Sequence, residues 1–188
     1  MQFKSRLKVI NAEKSRSTAL ETQNQGLLKR VQAKLRDGSA INPITVVVES
    51  INQGGFHTKV SMRDHLIASD QPFGFDGTNQ GPKPSELLLA ALAACQETTY
   101  RIYAEAMGIN IDRIAVTLTG KQDLRGFMSL DEEVPPGFVS IEGEVQIETE
   151  AQTKELKELQ VLVDKYCPVL DDLTRQIPVS LQLTKMKT

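Results

Sequence analysis

Two cysteines, Cys95 and Cys167, are the residues of this chain best suited to nucleophilic or redox chemistry. They stand 72 positions apart, and neither belongs to a C-x-x-C pair. A cysteine thiolate can attack an electrophile and can be oxidised, whereas a buried thiol commonly behaves as a small hydrophobic side chain. The count and spacing therefore leave two interpretations open, a redox pair and two structural cysteines.

The surroundings of the two cysteines differ. Cys167 precedes Pro168, and proline suits the first turn of a helix because its missing amide hydrogen has no intrahelical partner there. If a short helix runs from Pro168 to Gln176, the unpaired amides at its start would favour a thiolate on Cys167. Cys95 lies in an apolar run, so its activation requires a cation from elsewhere in the fold.

Each cysteine is expected on or beside a helix. Pro84 and Glu86 predict the start of a long helix that runs to about Met107, and Gly108 predicts its end. The first half of that helix, LLLAALAAC, is apolar on every side, which predicts burial in the middle of the domain or at a subunit contact. A second, amphipathic helix has Leu156, Leu159, Val163 and Tyr166 on one stripe and ends at Cys167, before Pro168.

Strands are predicted by β-branched runs and by alternation of apolar and polar residues. The loop of residues 70–84 is dense in Gly, Pro, Asp and Asn, which predicts a structured turn region before the long helix. A loop containing Pro135 and Pro136 is long enough to be mobile or to cover a site. The expected strands are 44–49, a second extended stretch over 56–68, and strands around 114–118, 139–147 and 177–183. Helices and antiparallel strands in this order predict an α+β fold.

The first 42 residues are interpreted as a basic helical arm, and residues 43–188 as the main domain. Residues 1–36 hold nine Lys or Arg and only two Glu, although the whole chain has a net charge of −2. Leu27, Val31 and Leu35 recur at helical spacing in this arm. The pattern does not favour nucleic-acid binding, because the charges lack the aromatic interleaving of a single-strand binder, and a solvated helix explains them.

Membrane, secreted and metal-binding classes are not supported. The longest apolar run, Leu87 to Cys95, is far shorter than the ~20 residues that span a bilayer. No signal-peptide pattern is present, so we expect a cytoplasmic protein with reduced thiols. His57 and His65 would share a face of one regular strand, but no Cys or carboxylate stands at ligand spacing, so no metal is expected.

Two segments carry a resemblance to a known family. GTNQGPKPSELLLAALAACQETTYRIYAEAMGI, from Gly77 to Ile109, and YCPVLDDL, from Tyr166 to Leu173, are similar to the two cysteine motifs of the OsmC family, including its organic hydroperoxide resistance branch. The resemblance implies an OsmC-like α+β fold with antiparallel sheets, a long central buried helix and two chains intertwined as a homodimer. The active sites would lie near the subunit contact.

The resemblance also implies a thiol-dependent peroxidase of the oxidative stress response, without a cofactor. Cys95 would attack an organic hydroperoxide and become a sulfenic acid, Cys167 would resolve it as a disulfide, and an external dithiol would restore both. The alternative is a protein of the same fold that senses redox state or binds a small ligand without efficient turnover.

Two positions depart from the organic hydroperoxide branch. In that branch a glutamate directly follows the proline that starts the helix, whereas here Ser85 follows and Glu86 comes one residue later. The branch also carries an arginine near its first hairpin that pairs with the attacking thiolate, and the turn INQGGFH has none. Glu86 and Arg63 are therefore the candidates for these two roles, and Arg36 is a second candidate for the cation. Either arginine could reach the site from its own chain or from the partner chain.

Overall fold

The structure, a computed structural model, describes residues 26–186, which form five α-helices and five strands. The predicted α+β class is confirmed. A single 3₁₀ turn, Phe73–Phe75, lies in the loop before the longest helix. In chain order the elements are α1 (Leu27–Arg36), β1 (Glu49–Gly54), β2 (His57–Met62), β3 (His65–Ser69), α2 (Pro84–Met107), β4 (Arg113–Gln122), α3 (Leu124–Phe127), β5 (Phe138–Glu148), α4 (Thr153–Tyr166) and α5 (Pro168–Thr174).

Local signals set both ends of the 24-residue helix α2. Pro84 is its first residue, and the Glu86 carboxylate accepts a hydrogen bond from the Lys83 backbone N–H at 2.8 Å, which closes a capping box. Gly108 ends the helix with φ 73°, a left-handed conformation that glycine adopts without steric cost. The predicted start, end and stop residue of this helix are confirmed.

The hydrophobic core lies around the second half of α2. Leu159 and Val163 of α4 are fully buried there against the α2 side. The partly buried Ile114 and Val145 of the β4–β5 hairpin pack on the same cluster. Burial of apolar surface is the main favourable term in folding, so this cluster holds the helices and the hairpin together. Its buried members are Tyr100, Ala104, Ile109, Ile111, Leu159 and Val163.

The first half of α2 is different, because its apolar residues are largely uncovered. Leu88 is 40% exposed, and Ala90, Ala91 and Ala94 are exposed as well. The expectation that this segment is buried in the middle of its own domain is therefore wrong. Burial at a subunit contact, the other place that the sequence allowed, stays a prediction.

The strands form two antiparallel sheets, one in the order β1-β2-β3 and one made of β4 and β5. The predicted hairpin before α2 is confirmed, but the stretch over residues 56–68 is two strands rather than one. It breaks at Arg63, whose φ is 52°, where the chain turns back from β2 to β3. A left-handed residue cannot continue an extended strand, and local pattern alone did not reveal this turn.

Two predicted strands are not formed within the chain. Only Glu49 of the predicted strand over 44–49 belongs to a strand, and residues 177–183 pair with no other part of residues 26–186. Both segments expose their apolar side chains, and Leu181 is 92% exposed. Alternation of side chains describes a segment that can be a strand, but the strand forms only when a neighbour supplies hydrogen bonds to its backbone.

The predicted arm is described only in part, since residues 1–25 lie outside the described residues. The predicted helix at Leu27 is confirmed as α1, and it lies against α2 of its own chain. The backbone N–H of Gly26, just before α1, donates a hydrogen bond to the Glu105 carboxylate of α2. The division of the chain at residue 42 stays a prediction.

The connection between β4 and β5 is organised by a charged cluster. Asp123 caps the one-turn helix α3, and the Arg125 guanidinium bridges Asp123 at 2.6 Å and Asp131 at 3.4 Å. Phe127 and Leu130 are exposed on this connection. That this connection is mobile or covers a site stays a prediction.

No helix in the described part of the chain is long and apolar enough to cross a membrane.

Candidate active site

The fold brings the two cysteines into contact. The Sγ atoms of Cys95 and Cys167 are 3.3 Å apart, and the Cys167 thiol donates a hydrogen bond to the Cys95 sulfur. Both cysteines are free thiols. A disulfide bond measures about 2.05 Å, so the sulfurs need to approach by little more than 1 Å to become bonded.

Helix packing explains how residues so distant in the chain meet. Cys95 lies near the middle of α2, and Cys167 lies at the junction where α4 ends and α5 begins. Both α4 and α5 pack against α2. The rings of Tyr103 on α2 and Tyr166 at the end of α4 stack at 5.3 Å, which holds the residue before Cys167 against the central helix.

The junction between α4 and α5 lies at Cys167, where Pro168 predicted that one helix ends and the next begins. The Cys167 N–H donates to the Val163 carbonyl as the last bond of α4, and the Cys167 carbonyl accepts the Asp171 N–H as the first bond of α5. Pro168 forces the extended conformation seen at Cys167, with ψ 113°. The predicted short helix is confirmed as α5, although it ends at Thr174 rather than Gln176.

The two thiols differ in accessibility. Cys167 is fully buried, whereas Cys95 is partly exposed. A molecule approaching from solvent therefore reaches the sulfur of Cys95 first.

Burial raises the pKa of the Cys167 thiol, and its contact with Cys95 raises that pKa further. Hydrogen bonds from the Leu170 backbone and with the Thr99 side chain act in the opposite direction but are outweighed. The expectation that the start of α5 makes Cys167 a ready thiolate is therefore wrong. The amide effect is present, but the sulfur is desolvated, and desolvation penalises the charged form more.

Thr99 is a residue of the site that sequence reasoning missed. Its hydroxyl donates to the Cys95 carbonyl at 2.7 Å, and its side chain lowers the pKa of the Cys167 thiol. The signal available in the sequence was a threonine one helical turn after Cys95, on the same side of α2. That position became informative only once Cys167 was known to face it.

Glu86 is not brought to the cysteines. Its carboxylate caps the start of α2, and nine residues of helix separate it from Cys95, a rise of about 14 Å. The structure thus supports a first-turn capping role, and a catalytic role for Glu86 stays an untested prediction.

The two arginines proposed as the activating cation lie elsewhere in the single chain. Arg63 is exposed at the turn between β2 and β3, and Arg36 is exposed at the end of α1. Within residues 26–186 neither guanidinium forms an ion pair or a hydrogen bond with a sulfur. A contribution from the partner chain, which the sequence analysis also allowed, stays a prediction.

The loop before α2 is held by a buried carboxylate. Asp70 accepts hydrogen bonds from the N–H groups of Gln71, Thr78 and Gln80 and from the Thr78 hydroxyl. The Thr78 hydroxyl bond and these backbone bonds lower the pKa of Asp70 to about 2, against the opposing effect of burial. The predicted structured loop is confirmed, but the residue that organises it was not singled out by the turn composition.

The two histidines do not form a shared site. His57 begins β2, whereas His65 begins β3 beyond the turn, so the assumption of one regular strand is wrong. Among residues 26–186, no three His, Cys, Asp or Glu side chains are grouped closely enough to hold a metal ion.

A groove of about 450 Å³ lies between α2 and the β4–β5 hairpin. Leu92, Gln96 and Tyr100 line it from α2, and Val116 and Leu118 line it from β4. We call this cavity the helix–sheet groove.

Two thiols in contact on an α+β scaffold define a protein with a candidate dithiol redox site. The family model described as OsmC-like protein matches residues 77–182, which is more than half of the chain. The chain therefore belongs to the OsmC-like family, and the predicted family and fold are confirmed.

Solved structures share this fold. An OsmC-like protein from Mycoplasma pneumoniae aligns with a TM-score of 0.62 and 23% identity, covering 70% of this chain and 88% of that one. An organic hydroperoxide resistance protein OsmC from Legionella pneumophila aligns with a TM-score of 0.56 and 19% identity, covering 71% of this chain and 92% of that one. At such identities the likeness shows the fold alone. No curated protein sequence matches the chain.

Proposed function

We propose that this protein is a thiol-dependent peroxidase that reduces organic hydroperoxides to alcohols through Cys95 and Cys167. The observation that carries the proposal is the 3.3 Å contact between the two sulfurs, in which the buried Cys167 thiol donates to the more accessible Cys95 sulfur. A peroxide from solvent reaches the accessible sulfur first, and the buried sulfur is close enough to form a bond with it afterwards.

The chemistry divides between the two sulfurs. The Cys95 thiolate attacks the terminal peroxide oxygen, the O–O bond breaks, and the alkoxide takes a proton and leaves as the alcohol. Cys95 is then a sulfenic acid. The Cys167 sulfur attacks it, the S–S bond forms, and the hydroxyl leaves as water with the Cys167 proton. Two thiol–disulfide exchanges with an external dithiol return both thiols and yield the oxidised dithiol.

The environments of the sulfurs support this order. Burial raises the pKa of Cys167, so this thiol stays protonated in the resting protein and leaves the first attack to Cys95. A cytoplasmic location would suit the cycle, because a reducing compartment supplies dithiols that regenerate the pair.

We propose further that the protein is an intertwined homodimer. Residues 44–48, residues 177–183 and the first half of α2 expose apolar side chains, and both extended segments lack strand partners. Contiguous exposed apolar surface and unpaired strand edges are typical of an interaction site. A second copy carries the complementary segments and fits the family resemblance.

The test of the peroxidase is dithiol-dependent consumption of cumene hydroperoxide by the full chain. We expect Cys95→Ser to abolish consumption, because the attacking sulfur is lost. Cys167→Ser should allow one equivalent of peroxide to be consumed and should accumulate a sulfenic acid that dimedone traps. Undiminished turnover by Cys95→Ser would overturn the assignment of the nucleophile.

Redox sensing or ligand binding without efficient turnover is the second candidate. The observation that favours it is that, within residues 26–186, neither Arg63 nor Arg36 contacts the attacking sulfur of Cys95, and both are exposed away from the two cysteine-bearing helix segments. Such a protein would be oxidised stoichiometrically by peroxide and would not cycle. Sustained turnover of the wild-type protein with a dithiol would defeat this candidate.

A further inference from the structure

The helix–sheet groove contains two polar side chains that the chain itself leaves without partners. Gln96 and Tyr100 are only 7% and 3% exposed, and both line the groove one helical turn apart on α2. Neither side chain forms a hydrogen bond with any of residues 26–186. Within residues 26–186, every fully buried side-chain nitrogen or oxygen has a hydrogen-bond partner. The polar side-chain atoms of Gln96 and Tyr100 have none, so they are not fully buried and reach the groove that both residues line.

The shape and lining of the groove suit a small organic molecule. Leu92, Val116 and Leu118 supply apolar walls from the two layers, and the volume of about 450 Å³ is typical of a ligand pocket. Apolar walls with a few convergent polar groups bind a hydrophobic body and orient one polar substituent.

The charge of the groove is negative. Asp164 of α4 lines it with an exposed side chain, and its carboxylate forms no hydrogen bond or ion pair with the described residues. Glu142 also lines it, but the Lys121 ammonium neutralises that carboxylate at 3.2 Å. Burial raises the pKa of Tyr100, and the negative charge of Asp164 raises it further, so the field of Asp164 reaches the polar atoms inside the groove.

The groove adjoins the sulfur pair. Gln96 directly follows Cys95 on α2. Leu170 lines the groove, and its backbone lowers the pKa of the Cys167 thiol. The groove is therefore lined by residues that stand next to Cys95 and one turn after Cys167 in the chain.

We propose that the helix–sheet groove binds the organic part of a neutral hydroperoxide, that Gln96 and Tyr100 hydrogen-bond a polar substituent on it, and that Asp164 disfavours anionic substrates such as carboxylates. This proposal rests on the peroxidase function above and names the substrate class of that site. Asp164 is exposed, so water screens its charge, and its repulsion of a second carboxylate bound in the groove is modest.

The test uses two ligands that differ in charge and little in size, 4-(2-hydroxypropan-2-yl)benzoate and its methyl ester. They are non-reactive alcohols, so their binding to the Cys95→Ser variant is measured by calorimetry without turnover. We expect the ester to bind about threefold more tightly than the acid at pH 7.5, a difference of the size that exposed charges give.

Matched variants assign the effect. Asp164→Asn should tighten binding of the acid and so reduce the preference for the ester to less than about twofold. The control Glu158→Gln, on the same helix but outside the groove, should leave the preference unchanged. Gln96→Leu and Tyr100→Phe should each weaken binding of the ester several-fold, by about the loss expected for one hydrogen bond. Equal binding of acid and ester, no binding of either, or an unchanged preference in Asp164→Asn would overturn the proposal.

Turnover of the two corresponding hydroperoxides by the wild-type protein separates this inference from the peroxidase itself. Equal kcat/KM for acid and ester would reject the charge selection and keep the peroxidase. Absence of turnover, together with preferential binding of the neutral alcohol, would reject the peroxidase and keep the groove as a binding site for neutral molecules.

Discussion

The two halves of α2 show how differently one helix can be stabilised. The second half packs against α4 and the β4–β5 hairpin, where Tyr100 and Ala104 are buried. The first half is more apolar, yet Leu88 and the alanines around it stay uncovered. Apolar composition therefore indicates that a surface will be covered, while the position of the other elements decides whether its own chain covers it. Cys95 lies between the two halves.

The largest expected effect is a difference in the free energy of unfolding between substitutions at the two halves of α2. Leu159→Ala removes a fully buried side chain that packs on the second half of α2, and we expect it to lower the free energy of unfolding by about 3 kcal/mol. Leu88→Ala in the first half should cost less than about 1 kcal/mol at protein concentrations low enough to keep the chain monomeric. Urea unfolding checks both. Equal losses would break the comparison, because Leu88 would then be buried by its own chain.

The next effect concerns the proposed covering of the first half by a second copy. Ala91→Glu places a charge on the exposed apolar face, and we expect it to shift sedimentation from dimer to monomer, because a charge buried at an interface without a partner is costly. Lys157→Glu on an exposed position of α4 is the control and should leave the dimer intact. A wild-type protein that sediments as a monomer, or an Ala91→Glu variant that stays dimeric, would contradict the proposed assembly.

The smallest expected effect is on disulfide formation by Cys167, whose partner Cys95 lies between the two halves of α2. Thr99→Val removes the side-chain hydrogen bond that lowers the Cys167 pKa, so that pKa should rise further and the thiolate fraction at neutral pH should fall. We expect the pH midpoint of disulfide formation to move upward and its rate at pH 7 to fall several-fold, with sulfenic acid formation on Cys95 unchanged. Stopped-flow oxidation with one equivalent of peroxide, followed across pH, resolves the two steps.

Thr98→Val is the matched control for Thr99→Val. Thr98 also donates its hydroxyl to the carbonyl four residues earlier, that of Ala94, but it is exposed and takes no part in the Cys167 environment. Its pH midpoint should equal that of the wild type. A shift of the same size in both variants would mean that the effect comes from the helix backbone and not from the sulfur contact.

Features set by neighbours in the chain could be predicted from the sequence. The start of α2 at Pro84, its end at Gly108 and the break at Pro168 all follow from capping and proline geometry, which act over a few residues. The sign of the Cys167 pKa shift could not be predicted in this way. The amides at the start of α5 are local, but the burial that outweighs them comes from distant residues.

The candidate site divides in the same way. Both cysteines were recognised from their motifs, whereas Thr99, Gln96 and Asp164 were not, because each matters only through a residue far away in the chain. The turn at Arg63 was also missed, and with it the separation of the two histidines onto different strands.

The sequence by itself determined which segments become helices, where those helices stop and that two thiols stand beside them, because these properties depend on contacts between near neighbours. Only the tertiary structure decided that the sulfurs lie 3.3 Å apart, that one is buried and the other accessible, and that the apolar segments at 44–48 and 177–183 have no partner within the described chain. Packing of distant elements sets these features, and the pattern of residues along one segment does not contain that information.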